Sequence, residues 1–217
     1  MERKDAFIEG EYYHLYNRGV DKRIIFPSAR DYRRFMMLLY LANSTEDTRI
    51  GNVLRTAKYE DVFNLERAEP LVAIGAFCLM PNHFHLLVTP LTSGGISKFM
   101  LKLQTGYSMY FNTKNERKGA LFQGPFRSVH ADNDQYLQYL YSYIHLNPAK
   151  LLDPKWKETS SSKNVLKRFV ESYPYSSYAA YLNDSHIITE PKKFPDYFSS
   201  KDDVESHISD WLQSEPG

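Results

Sequence analysis

Two apolar segments joined by a tight turn constrain the fold of this chain more than any other feature. Residues 71–80 (LVAIGAFCLM) and 83–88 (HFHLLV) are almost continuously apolar, and Pro81-Asn82 between them is typical of a turn. Short apolar runs of this kind, bounded by turn residues, predict strands that are buried on both faces. We therefore expect a β-hairpin at the centre of a covered sheet.

The segments around this hairpin predict an α+β domain. In chain order they are a strand at 12–17, a helix at 33–42, the hairpin, a helix at 97–112, a broken strand at 120–129 and a helix at 134–146. Asp31 is the expected cap of the first helix, Asn133 or Asp132 caps the last, and Pro148 ends it. The order β-α-β-β-α-β-α indicates an antiparallel sheet with helices packed on it.

Three other segments give weaker signals. Residues 43–70 are polar and irregular, so we expect a loop with one short helix around 59–65. Thr159–Ser162 is polar and predicts a flexible link. Residues 203–212 predict a C-terminal helix.

The composition is that of an ordinary globular chain. The 217 residues are 42% hydrophobic and 24% charged, and no apolar run approaches the roughly 20 residues that span a bilayer. The first ten residues (MERKDAFIEG) lack the apolar stretch of a signal peptide. The single cysteine, Cys78, excludes an intrachain disulfide. We expect a cytoplasmic protein with no membrane partner.

The charge distribution leaves two interpretations open. The net charge is only +1, but from Lys98 to Arg127 there are six basic residues against one acid, Glu116. Such a run is either a solvated helix face or a surface for nucleic acid. The 17 tyrosines likewise suit either half-buried strands or stacking on unpaired bases.

His83-Phe84-His85 is the first candidate for chemistry. On a strand, residues two apart point to the same face, so the two imidazoles would converge and could share one divalent metal. A plain pair of surface or core histidines fits the same pattern. Leu87 stands where metallohydrolases with an HxHxDH motif need Asp, which argues against that class of enzyme.

The helix at 134–146 offers a nucleophile and a further ligand. Tyr143 and Asn147 lie four residues apart, so the phenol and the amide would share one helix face with Tyr136. The same stripe also fits a simple packing face, with Asn147 at the helix end before Pro148. The spacing alone does not decide between these.

Taken together, these motifs resemble the REP-associated tyrosine transposases, a group of single-tyrosine HUH transposases within the IS200-like family. The resemblance extends over about residues 12–182. Its segments are YHLYNRGVDKRIIF (13–26), DYRRFMMLL (31–39), LMPNHFHLLV (79–88), LKLQTGYSMYFNTKNERKGALFQGPFRS (101–128), YLYSYIHLNPAK (139–150) and YPYSSYAAYL (173–182). One departure is Pro125, which stands where the family commonly has Arg.

The resemblance implies a fold, a site and a reaction. The fold would be ferredoxin-like, with a transposase domain at 1–182 and a C-terminal extension at 183–217. His83 and His85 would hold Mg²⁺ or Mn²⁺, with Asn147 in the third ligand position. Tyr143 would attack the scissile phosphate of single-stranded DNA, leaving a 5′-phosphotyrosine and a free 3′-hydroxyl.

The implied substrates are single-stranded DNA hairpins formed by palindromic repeats. Candidate DNA-binding residues fall into two groups, one after the first strand and one from the following helix onward: Arg18, Lys22 and Arg23, then Lys102, Lys114, Arg117, Lys118 and Arg127. Phe122, Phe126 and Tyr107 are either base-stacking or core residues. Both a monomer and a homodimer are compatible with the resemblance.

Three alternatives stay open. A catalytically silent DNA-binding protein of the same fold would bind hairpins without a covalent product. A replication initiator or relaxase would share the chemistry but commonly carries further domains. An unrelated metal-dependent phosphodiesterase would cleave DNA without needing Tyr143.

Overall fold

A computed structural model describes residues 7–46, 50–158, 162–198 and 200–213, so most of the predicted link at 159–162 lies outside the described residues. The strands in these ranges are β1 (Tyr12–Arg18), β2 (Val72–Met80), β3 (His83–Pro90) and β4 (Arg127–Ala131). The helices are α1 (Ala29–Leu41), α2 (Ile50–Thr56), α3 (Tyr59–Val62), α4 (Gly95–Lys114), α5 (Asp134–Leu146), α6 (Ala149–Leu152), α7 (Lys163–Ser172), α8 (Tyr178–Leu182) and α9 (Lys201–Gln213).

The strands form one antiparallel sheet in the order β2-β3-β1-β4. β1 and β2 run parallel to each other on either side of β3, so the helical connection between them crosses over the sheet. This arrangement is ferredoxin-like and confirms the predicted fold class.

The pleat of the sheet separates two cores. On β1, Tyr13 and Leu15 belong to the core shared with α1 and α4, whereas His14 and Tyr16 point to the opposite face. On β3, Leu87 belongs to the core built with α5. Because side chains alternate along each strand, the same two strands supply apolar residues to one layer and polar groups to the other.

The prediction that the whole hairpin is central is wrong for β2, which is the edge strand. It is nevertheless buried along its entire length. A later segment covers the edge: Leu79 N donates to Tyr175 O (2.9 Å), Ser177 N to Phe77 O (2.9 Å) and Glu190 N to Ile74 O (2.8 Å). Pairing removes the unsatisfied backbone groups that an open edge would present. An apolar run therefore indicated burial correctly but not position in the sheet.

Helix boundaries differ from the predictions at several points. Ser28 is the N-cap residue of α1, and Asp31 lies inside the first turn rather than at the cap. The segment 43–70 contains two short helices, α2 and α3, instead of one. The sequence pattern did not predict α7. Among the described residues, no helix has the length and apolar character of a membrane span.

Asp31 is a fully buried carboxylate that joins α1 to the end of α4. Lys114 Nζ lies 2.6 and 2.8 Å from its two oxygens, Tyr110 Oη donates at 3.0 Å and Ser28 Oγ at 2.5 Å. Burial raises the pKa of Asp31, but these hydrogen bonds outweigh it and leave that pKa below its ordinary value. Lys114 therefore forms a structural ion pair with Asp31.

We predict that Lys114→Ala lowers the free energy of unfolding by about 2–3 kcal/mol, because it leaves a buried carboxylate without its cation. Since the pKa of Asp31 is lowered, this contribution is present at neutral pH and is lost as pH falls through that lowered pKa. Urea unfolding would measure the change.

The matched control is Lys118→Ala, four residues further along and exposed. Its effect should be about 0.5 kcal/mol or less. Equal effects of the two substitutions would contradict the structural role of Lys114.

Candidate active site

Three elements bring the predicted catalytic residues together on one face of the sheet. Strands β1 and β3 pair with Tyr16 opposite His85 and Arg18 opposite His83. Helix α5 crosses this face, and the Tyr143 ring lies 5.4 Å from the His85 ring and 5.8 Å from the His14 ring between centroids. The His83 and His85 rings are 5.0 Å apart. The HxH motif and the helix tyrosine therefore meet.

Most of these residues line a cavity of about 430 Å³, in which the charged side chains are cationic. Its lining residues are Tyr16, Asn17, Arg18, His83, His85, Gln123, Arg127, Tyr143 and Lys150. Arg18, Arg127 and Lys150 are cationic, and none of the described lining residues is a carboxylate. A concave site of this kind favours an anion such as a phosphodiester.

A hydrogen-bond chain fixes the tautomer of His83. Asn82 Nδ2 donates to Lys22 O (3.1 Å), which turns Asn82 Oδ1 toward His83 Nδ1 at 2.6 Å. Because an amide oxygen only accepts, Nδ1 carries the imidazole proton. The lone pair of His83 therefore lies on Nε2, which is the form that can bind a metal.

His85 is paired with a third histidine, His14, that the sequence reasoning missed. His14 Nε2 and His85 Nδ1 are 2.9 Å apart, and both side chains are buried. His85 Nε2 is buried and has no hydrogen-bond partner among the described residues. The alternation on β1 indicates that His14 and Tyr16 share a face, but it does not identify His85 as the partner of His14.

The imidazoles are held in the neutral form. Burial lowers the pKa of His14 to about 4 and, with the charges of Arg18 and Lys150, the pKa of His83 to about 4. Burial, reinforced by the other two histidines and by Lys150, holds the pKa of His85 well below its usual range. Neutral imidazole is the ligand form, so near neutral pH none of these rings has to lose a proton before binding a cation.

Tyr143 is partly buried beside these rings. Burial raises the pKa of its phenol, and the side-chain amide of Asn147 and the charge of Arg18 oppose part of that rise. The phenol is therefore protonated near neutral pH. A reaction at this oxygen requires positive charge nearby to stabilise the phenolate.

Asn147 and Lys150 continue the face that carries Tyr143. Pro148 ends α5, but Asn147 and Pro148 keep right-handed helical torsions, and α6 follows directly. Asn147 Nδ2 donates to Tyr143 O (2.7 Å), and Lys150 Nζ donates to Asn147 Oδ1 (3.2 Å). Lys150 Nζ also lies 5.0 Å from the Tyr143 ring centroid. Lys150 was not among the predicted site residues.

The donor set partly fits a divalent metal. Within the described ranges no cluster of three or more His, Cys, Asp or Glu side chains is arranged to hold one. What the site offers is His83 Nε2 and His85 Nε2, the second of which is a buried nitrogen without a partner. The amide oxygen of Asn147, in contrast, is bonded to Lys150.

The predicted DNA-binding residues do not form two continuous surfaces. Arg18 and Arg127 line the cavity, and Lys22 and Arg23 follow β1 beside the hairpin turn, where Ile25 N donates to Pro81 O. Lys102, in contrast, is on α4 on the opposite face of the sheet, with its Nζ donating to Ser44 O and Glu46 O.

The rest of the second group is also divided. Lys114 lies twelve residues beyond Lys102, or about 18 Å along a straight helix, and is paired with Asp31. Arg117 donates to Asn112 Oδ1 (2.6 Å) and Ala120 O (3.1 Å), which holds the end of α4, while Lys118 is exposed. Tyr107 and Phe122 are core residues.

Part of the chain that carries this site matches a known protein family. Residues 51–147, which include His83, His85, Tyr143 and Asn147, match the family described as "Transposase IS200 like". Over this segment, which is less than half of the chain, the sequence is similar to the IS200-like transposases, the family predicted from the motifs. β1 and Lys150 lie outside the matched residues.

No curated protein sequence is significantly similar to this chain. Among solved structures, a REP-associated tyrosine transposase bound to a REP hairpin is similar with a TM-score of 0.49 and 13% identity, covering 92% of this chain and 94% of that one.

We predict that His85 donates its Nδ1 proton to His14, because the opposite tautomer would bury an N–H without a partner. Long-range ¹H–¹⁵N NMR of the metal-free protein should show the Nδ1-protonated form. In His14→Gln the amide oxygen can still accept this proton and the form should persist, whereas His14→Ala should shift His85 toward the Nε2-protonated form. An Nε2-protonated His85 in the unsubstituted protein would contradict this assignment.

Proposed function

We propose that this chain is an IS200-like transposase that cleaves and rejoins single-stranded DNA with Tyr143 as the nucleophile. The observation that carries the proposal is the position of the Tyr143 phenol. It lies beside the His83–His85 pair, in a cavity with three cationic side chains and no carboxylate. Such a cavity suits a phosphodiester placed next to an attacking oxygen.

Side chains of the protein itself would supply the nucleophile and the cations that this reaction needs. Tyr143 Oη forms a bond to phosphorus, the bond from phosphorus to the 3′-oxygen breaks, and the product is a 5′-phosphotyrosine with a free 3′-hydroxyl. The phenol loses one proton to solvent and the leaving oxygen gains one. Arg18 and Arg127 would neutralise the phosphate. The phosphotyrosine bond is retained for rejoining, so no nucleotide cofactor is needed.

His83 and His85 would hold Mg²⁺ or Mn²⁺ through their Nε2 atoms, with Asn147 Oδ1 as the third ligand. A bound divalent ion would supply charge stabilisation for the phosphate and for the developing phenolate. His14 keeps His85 oriented with Nε2 toward the site, which is a positioning role. Asn147 can join this set only when its oxygen leaves Lys150.

The proposed substrates are hairpins with adjacent unpaired bases, as implied by the resemblance to REP-associated transposases. Arg18, which lines the cavity, and Lys22 and Arg23, which follow it in the chain, would bind phosphates near the cleavage point. Lys118 is an exposed candidate at the end of α4. Monomer and homodimer both remain compatible with this substrate.

A catalytically silent DNA-binding protein is the second candidate, and one observation favours it. The third proposed ligand, Asn147 Oδ1, is already hydrogen-bonded to Lys150. If that bond persisted with DNA present, the chain would bind hairpins without cleaving them.

Covalent capture separates the two candidates. We would incubate the protein with single-stranded hairpin oligonucleotides from repeats flanking its own gene, with Mg²⁺ or Mn²⁺, and assay for an adduct that survives denaturation. We expect an adduct that is absent in Tyr143→Phe and reduced by about tenfold or more in His83→Ala. The control is Tyr139→Phe, because Tyr139 stacks on Tyr143 at 5.8 Å and should leave the adduct in place.

Each other outcome supports a named alternative. Tight hairpin binding without an adduct, with either metal, would support the silent DNA-binding protein. Strand cleavage that survives Tyr143→Phe would support a phosphodiesterase of a different mechanism.

We also predict that reversing charge at the end of α4 weakens hairpin binding. Lys118→Glu, alone or with Arg117→Glu, should lower affinity and reduce the slope of log affinity against log salt by about 0.7 to 0.9 per lost phosphate contact. The single Lys118 substitution is the cleaner test, because Arg117 also holds the local backbone.

The control for this measurement is Lys58→Glu, an exposed residue immediately before α3. It makes the same change of charge away from the cavity. An identical salt slope for Lys118→Glu and the unsubstituted protein would remove this surface from the DNA interface.

A further inference from the structure

Lys150 is the cationic residue at the site that the sequence reasoning did not identify. We propose that Lys150 is a phosphate-binding residue whose ammonium group is held by Asn147 in the free protein, so that metal and phosphate binding are coupled through the Asn147 amide oxygen. This inference rests on the proposed function, since it assumes that His83, His85 and Asn147 form a metal site.

The position of Lys150 supports a role at the reacting phosphate. It follows Tyr143 by seven residues on a continuous run of helical backbone, so its side chain returns to the same face. Its Nζ lies 5.0 Å from the Tyr143 ring centroid and lines the same cavity as both histidines. A phosphodiester positioned for attack by Tyr143 would therefore lie within reach of this ammonium group.

Lys150 is an exposed residue whose side-chain acceptor among the described residues is uncharged. Its hydrogen-bond acceptor at the site is the neutral oxygen of Asn147, at 3.2 Å. None of the described residues that line the cavity is a carboxylate. An ammonium group in such surroundings gains more from an anionic oxygen than from an amide oxygen. A phosphate oxygen would be an acceptor of this kind.

The same amide oxygen is the proposed third metal ligand. An ammonium group and a divalent cation on one oxygen would repel each other unless an anion lies between them. A bound phosphate provides that anion and gives Lys150 a stronger acceptor, which releases Asn147 Oδ1 toward the metal. Lys150 should therefore oppose metal binding in the free protein and favour it once DNA is bound.

A double-mutant cycle with Mn²⁺ as the probe tests this coupling without relying on activity. Isothermal titration calorimetry would measure Mn²⁺ affinity of the full chain for Lys150→Met, Asn147→Ala and the double variant. We expect Lys150→Met to raise affinity by about tenfold in the free protein, because a like charge is removed from the ligand oxygen. In the Asn147→Ala background the same substitution should have little effect.

A second arm measures the coupling to phosphate. In a Tyr143→Phe background, which prevents cleavage, a single-stranded oligonucleotide should raise Mn²⁺ affinity when Lys150 is present. This enhancement should be largely lost in Lys150→Met and retained in Lys150→Arg, which keeps a cation for the phosphate. Thermal unfolding of each variant would establish that the fold is intact.

The control is Lys157→Met, which removes a nearby lysine that lies over the Trp156 and Trp211 rings, outside the cavity. Equal increases for Lys157→Met and Lys150→Met, or an undiminished increase in the Asn147→Ala background, would overturn the proposal in favour of a general charge effect. A fall in Mn²⁺ affinity in Lys150→Met would overturn it as well.

Failure of this inference is distinguishable from failure of the proposed function. A covalent adduct through Tyr143 without the coupling would leave the transferase intact and remove only the role of Lys150. Absence of Mn²⁺ binding to every variant, with or without DNA, would remove the metal site and with it this inference.

Discussion

The pairing of β1 with β3 is the interaction on which the rest of the site depends. Its register sets Tyr16 opposite His85 and Arg18 opposite His83. A shift by one residue would turn His83 and His85 into the core of α1 and α4 and expose Phe84 on the other face. That shift is opposed by Leu15, Phe84 and their neighbours, which are fully buried. Packing in this apolar layer thus fixes the positions of the histidines on the opposite face of the sheet.

Desolvation is the common electrostatic feature of the site. It lowers the pKa of the three imidazoles, raises the pKa of the Tyr143 phenol and lowers the pKa of Lys150. Each shift disfavours the charged form, and the cavity lining supplies no acid in compensation. A bound phosphate would supply a negative charge for the cations, and a divalent ion would supply a positive charge for the phenolate. We therefore expect DNA binding and cleavage to be linked at this site.

Much of the fold and part of the site could be predicted from the sequence. The strand at 12–17, the helix at 134–146 and the HxH pair follow from periodicity over a few residues, and the structure has them where predicted. The edge position of β2, the pairing of His14 with His85 and the internal ion pair of Lys114 with Asp31 could not be predicted in this way. Each joins residues distant in the chain, and local patterns carry no information on such contacts.

The sequence by itself therefore determined most of the strands and helices around the site, which of their faces are apolar, and which residue types could take part in the proposed phosphodiester chemistry. Only the tertiary structure decided which cations reach the cavity. The sequence does not distinguish Lys102 from Lys150 as candidates for phosphate binding. In the structure Lys102 donates to loop carbonyl groups on the opposite face of the sheet, whereas Lys150 lies over the Tyr143 ring. The physical reason is that a long, flexible cationic side chain takes whatever partner the fold brings within reach, and that partner is set by packing between distant segments.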